Sequence, residues 1–195
     1  MKHPPKTWRD DQDTTHVASW SRWRQFKASL GSEVRWKANR SIWDLVPIVV
    51  LGVPVLVAMS SVVSAIGHLL GFQFGGDGDL IMEVMRENPL AMFLVGTFFA
   101  PPIEELLFRV LPRALGKTIR PDAGPMWALG VASTAIFALA HINPDNPTFP
   151  LPQFFAGLVF WAVQIRFGFL GSMALHAGFN GSLLLIVIVA ANVLH

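Results

Sequence analysis

Ala100-Pro-Pro-Ile-Glu-Glu-Leu-Leu-Phe-Arg109 is the stretch that decides how this chain folds. It sets three ionisable side chains, Glu104, Glu105 and Arg109, inside an apolar run. Leu90 to Phe99, just before it, carries no charge, and Val110 and Leu111 follow it. A charged group at bilayer depth costs roughly 2.5–3.5 kcal/mol on insertion scales, so such groups persist where they face a protein interior or a wet cavity. The stretch is therefore the first candidate for a functional site.

Pro101 and Pro102 lack backbone N–H groups, so a helix entering from Leu90 is expected to break near Ala100. A second half-helix then starts, with proline in its first turn. Glu104 and Glu105 fall in that turn, where free N–H groups and the positive dipole end favour an anion. Arg109 stands four residues after Glu105 and five after Glu104, so the better-facing pair is Glu105 with Arg109. That reading makes Glu105–Arg109 a buried supporting pair and leaves Glu104 free for chemistry. Ten residues at about 1.5 Å each put Glu104 roughly 15 Å deep, near the middle of a hydrocarbon core about 30 Å thick.

Outward from this stretch, the composition fits a lipid-embedded chain. Of 195 residues, 52% are hydrophobic and 14% charged, well beyond a typical soluble domain. There is no cysteine, which excludes disulfides, thiolate metal sites and cysteine nucleophiles. Five apolar spans are expected: Ile42 to Leu70, Leu90 to about Leu111, Met126 to His141, Phe154 to about Phe169, and Gly171 to Val193. The fold class is all-α, a polytopic membrane helix bundle of about five transmembrane helices with a broken second helix and an N-terminal amphipathic helix. Gly75 to Asp79 lacks the spaced carboxylates and closing Glu of a calcium loop and reads as a turn.

Three segments follow. Residues 1–41 hold nine of the fifteen Lys and Arg and four tryptophans. Val17, Trp20, Trp23, Phe26, Leu30 and Val34 recur there at spacings of three and four, as in a helix lying on an anionic membrane face. A basic tail is the plainer alternative, and no nucleic-acid partner is expected. Residues 42–89 are the first span and an acidic loop, and residues 90–195 are the core that carries the polar set. Lys and Arg concentrate in the tail, at 113–120 and at 166, which places the N-terminus in the cytoplasm.

Three more polar residues lie in the later spans. His141 closes the third in Phe137-Ala-Leu-Ala-His141, and His176 and Asn180 stand one turn apart on the fifth. The i,i+4 spacing points imidazole and carboxamide into one space. Gly171, Gly178 and Gly181 leave room for close helix approach or for a substrate backbone. A lone histidine in such a span is more often a packed core residue. Two histidines, a Glu pair, an Arg and an Asn on three apolar spans supply a base, groups to hold a polarised water and donors for an oxyanion.

These motifs resemble the CAAX prenyl protease and bacteriocin-processing (CPBP, Abi) family of intramembrane proteases. Its Glu-Glu-x-x-x-Arg, Phe-x-x-x-His and His-x-x-x-Asn patterns are matched in order by Glu104-Glu105 to Arg109, Phe137 to His141, and His176 to Asn180. Val110 departs from the Gly often found after the Arg. The resemblance implies peptide hydrolysis inside the membrane. Glu104 and His141 would activate a water, and His176 and Asn180 would stabilise the oxyanion. The substrate would be a membrane-associated, leader or prenylated peptide, and the setting a bacterial inner membrane. Glu with two His is also the ligand set of a catalytic zinc, although His-Glu-x-x-His is absent, so a divalent metal such as zinc stays open and a metal-free mechanism is preferred. The competing readings are a proton- or ion-translocating protein and a non-catalytic immunity or scaffold protein. The expectation to be met is convergence of Glu104, His141 and His176 on one small cavity.

Overall fold

The computed structural model describes residues 9–35, 41–71, 84, 87–120, 126–144 and 147–193. The Gly75–Asp79 loop and the residues ahead of Arg9 lie outside them. Among the described residues the regular elements are helices: α1 (Arg9–Val34), α2 (Leu45–Leu69), α3 (Pro89–Ile119), α4 (Trp127–Leu139), α5 (Leu151–Phe167) and α6 (Phe169–Val193). Local chemistry sets several ends. Asn88 accepts the Ala91 N–H at 3.2 Å while Pro89 takes the first helical position, which needs no donor. Gly168, at φ +80°, is the single residue between α5 and α6, a conformation that glycine adopts without steric cost.

Helices α2, α3 and α6 are long and apolar enough to cross a bilayer. The other two of the five expected spans are shorter. At 13 and 17 residues, α4 and α5 rise only about 20 and 25 Å, against a hydrocarbon core of about 30 Å. The polarity of the bundle is inverted relative to a water-soluble domain. Leu51, Val55 and Val62 of α2, Phe98, Phe99 and Ile103 of α3, and Leu185, Ile186 and Val189 of α6 are all exposed. Glu105, Arg109, Thr134, Gln164, Ser172 and His176 are buried. Apolar outside and polar inside is the pattern of an integral membrane protein, in which packing and interhelical hydrogen bonds hold helices together. Val53 and Leu56 of α2, Ala156 and Phe160 of α5, and Leu175 and Phe179 of α6 form the dry core that carries the site.

The expected break in α3 does not occur, and the helix runs through its prolines. The missing N–H groups are accommodated by two π-turns, Val95–Phe99 ahead of Pro101 and Pro102, and Leu106–Val110 ahead of Pro112. In each the hydrogen bond lengthens to i,i+5: Ala100 donates to Val95 and Leu111 to Leu106. Such π-bulges are rare inside α-helices and concentrate at functional sites. Glu104 and Glu105 therefore sit between two π-turns within a continuous helix, and the free first-turn N–H groups expected around them are not there.

Helix α1 forms, and its last turns dock on the bundle. Phe26, Ser29 and Leu30 are half-buried and Glu33 is buried, while Trp20, Trp23 and Val34 stay exposed. The apolar stripe predicted from sequence is thus divided between a docked face and an open one. Glu33 accepts from Arg113 Nε at 2.9 Å and Gln164 Nε2 at 3.3 Å and pairs with Lys117, so a carboxylate of α1 is clamped by α3 and α5. Arg113 lies over the Trp161 ring at 5.7 Å.

Candidate active site

Glu105 is the centre of the polar cluster and is fully buried. Its Oε1 lies 2.8 Å from His176 Nδ1 and 3.6 Å from Arg109 Nε, and its Oε2 accepts a short hydrogen bond from Ser172. Ser172 Oγ also reaches the Phe160 carbonyl, at 3.0 Å. One carboxylate on α3 thereby joins two side chains of α6. The expected Glu105–Arg109 pair is present, and it is one arm of a larger hub. Among the described residues Arg109 has no hydrogen-bond partner for its three guanidinium nitrogens. It is held by charge and by two rings, with its Cζ 4.2 Å from the Phe137 centroid and 5.5 Å from that of Phe160. Cation–π contacts of this kind strengthen when desolvated. Close approach of α5 depends on Gly157, where a Cβ would stand 2.6 Å from Thr134 Cγ2 and 2.9 Å from Arg109 Nη2.

The Glu105 contact settles how His176 faces Glu104. A carboxylate oxygen only accepts, so Nδ1–H donates to Glu105 and Nε2 turns to Glu104 Oε2, 3.3 Å away. That approach lacks hydrogen-bond alignment, and among the described residues Glu104 Oε2 has no hydrogen-bond partner. Phe160 stacks on the imidazole, with centroids 4.3 Å apart and planes at 21°. His176 is 2% exposed, whereas the Glu104 side chain keeps 22%. Glu104 is thus the carboxylate of the cluster that opens outward.

His141 is half-buried. Its Nδ1 stands 2.8 Å from the Phe137 carbonyl, an acceptor, so the neutral ring keeps an unprotonated Nε2. Its ring lies 4.5 Å from that of Phe137, which in turn meets His176 edge-on at 5.9 Å. Glu104 and His176 come together directly, and His141 joins them across Phe137. Asn180 does not share the space of His176: its Nδ2 donates to the Gly96 carbonyl at 3.1 Å. The three glycines are also spent on packing, since a Cβ at Gly171, Gly178 or Gly181 would meet Phe167, Val53 or Thr97.

Sequence reasoning missed Ser172 and Phe160. A lone serine and one of fifteen phenylalanines carry no motif, and only the crossing of α3, α5 and α6 gives them their place. A catalytic zinc needs three protein ligands around one point. Among the described residues no group of three His, Asp or Glu is so assembled. The donor set as arranged does not fit that metal, and no step below runs through one.

Residues 86–182 match the family model described as type II CAAX prenyl endopeptidase Rce1-like. No curated protein and no solved structure matches the chain.

Proposed function

Because residues 86–182 place this chain in the Rce1-like, type II CAAX prenyl endopeptidase family, we propose that it hydrolyses a membrane-associated peptide of the prenylated or leader type, with Glu104 as general base. One observation carries the reading: of Glu104, Glu105, Arg109 and His176, Glu104 is the one that is partly open, and it faces His176 Nε2 at 3.3 Å. Glu104 takes a proton from water, and the hydroxide oxygen bonds to the scissile carbonyl carbon. The C–N bond then breaks as the same proton passes to the departing amine. His141 Nε2 holds the water, and His176, kept in orientation by Glu105 and Phe160, donates from Nε2 to the developing oxyanion in its doubly protonated form. Positioned acid–base groups of this kind contribute about 10²–10⁴-fold each.

The clustering of Lys and Arg supports an orientation with the N-terminus in the cytoplasm. Purified protein in liposomes carrying a prenylated peptide tests the whole reading. Glu104→Gln and His141→Ala are each expected to lose cleavage by about 10²-fold or more while the thermal transition stays in place. Full activity in either variant refutes the assignment. An intact peptide with wild-type protein, together with proton flux across the vesicle, would instead favour the ion-translocating reading.

A further inference from the structure

Asn180 spends its carboxamide on backbone. In the π-turn Val95–Phe99 the Ala100 N–H is bound to the Val95 carbonyl. The next donor along, the one that would reach Gly96 at i,i+5, belongs to residue 101, and Pro101 has none. The Gly96 carbonyl has therefore lost its partner on its own helix, and Asn180 Nδ2 supplies one from α6 at 3.1 Å. Near the second π-turn a neighbouring helix also supplies a donor: the carbonyl of Phe108, whose i,i+4 partner would be Pro112, accepts from Ser133 Oγ of α4 at 2.5 Å. A buried carbonyl without a donor is costly in hydrocarbon, and at these two α3 carbonyls a side chain of a neighbouring helix supplies one.

We infer that Asn180 is a positioning residue: it replaces the N–H that Pro101 lacks, fixes the first π-turn in register, and so holds Glu104 against His176. The same two helices are tied at two levels, Gly96 to Asn180 and Glu104 to His176. Beside the first tie the helices pack closely, since a Cβ on Gly181 would lie 3.1 Å from Thr97 Cγ2 and one on Gly96 would lie 2.7 Å from Leu184 Cδ1. Loss of the first tie lets the π-turn relax and rotates Glu104 relative to His176. The effect on rate rests on the proposed role of Glu104; the effect on backbone does not.

A double-mutant cycle on the full chain in liposomes tests this, using Asn180→Ala, Pro101→Ala and the pair. Asn180→Ala is expected to lower the thermal midpoint and speed amide exchange over residues 95–104. It is also expected to cut kcat by on the order of 10²-fold with KM unchanged, the size of effect a misplacement of about 1 Å produces. Pro101→Ala returns an N–H to the helix, so the pair should regain most of the midpoint, the exchange protection and kcat. If Asn180→Ala fails to fold, folding of the pair supports the inference and failure of the pair overturns it. A loss of kcat with midpoint and exchange unchanged, and with no rescue by Pro101→Ala, overturns it in favour of direct contact with the reacting carbonyl. If even the wild type leaves the peptide uncut, the reading of Glu104 fails, while midpoint and exchange still decide for or against the tie.

Discussion

Adjacent glutamates in one helix turn have opposite environments and should respond to substitution in opposite ways. Glu105→Gln leaves Arg109 as a buried cation without its counter-charge, a change that costs about 3–5 kcal/mol where it has been measured. The thermal midpoint of the detergent-solubilised protein should fall steeply, whereas Glu104→Gln should leave it nearly unmoved, because Glu104 is the member of the pair that keeps outside access. Gly157→Ala should cost about 1–3 kcal/mol, the usual range for overpacking, since Thr134 and Arg109 both have to shift. A midpoint equal to wild type in Gly157→Ala would show that α5 can move away from Arg109. At this scale the sequence was partly readable. The i,i+4 rule joins Glu105 to Arg109 and sets Glu104 apart, because those relations lie within one helix. The same rule put Asn180 one turn from His176 and could not show its hydrogen bond, because the carbonyl that accepts it belongs to another helix.

Helices show a similar division. Their existence and approximate ends follow from unbroken apolar runs, and α2 and α6 lie within a few residues of the expected spans. The form of α3 did not follow, because a proline pair inside an apolar helix has two solutions, a break or a π-turn. What separates them is whether a neighbour can supply the missing donor. The docking of α1 was equally hidden, since Glu33 is one acid among many until Arg113, Lys117 and Gln164 surround it. Burial opposes ionisation of Glu33, but its hydrogen bonds and charge contacts with Arg113 and Lys117 outweigh that and hold its carboxyl below the ordinary glutamate range. A carboxyl lowered in the folded state contributes stability that is complete above its unfolded pKa, near 4.3, and is lost as pH falls through the lower folded value. Protease cleavage within α1 should accordingly be slow at neutral pH and accelerate as the medium is acidified below about pH 4. Glu33→Gln should show fast cleavage already at neutral pH. Equal cleavage of wild type and variant at pH 7 would mean that this latch does not hold α1.

The molecule as a whole is a bundle of three long and two shorter apolar helices whose polar groups are gathered inside. Membrane class and helix content were legible from composition because apolar length is a property of the chain alone. The meeting of α3, α4 and α6 at one depth was not. Counting straight helices at about 1.5 Å per residue sets Glu104, His141 and His176 at different levels. The short α4 and the π-turns of α3 are departures from that straight-rod picture which no periodicity announces.

The half-open side of Glu104 has a consequence for how a substrate is encountered. Its neighbours Ile103 and Leu107 are exposed apolar residues of α3, so on the proposed reading an acyl- or prenyl-bearing peptide would reach the carboxylate by travelling sideways within the leaflet. Turnover would then follow surface density rather than molarity. Adding lipid at constant peptide and enzyme should slow the rate, and doubling the buffer volume around the same vesicles should leave it unchanged.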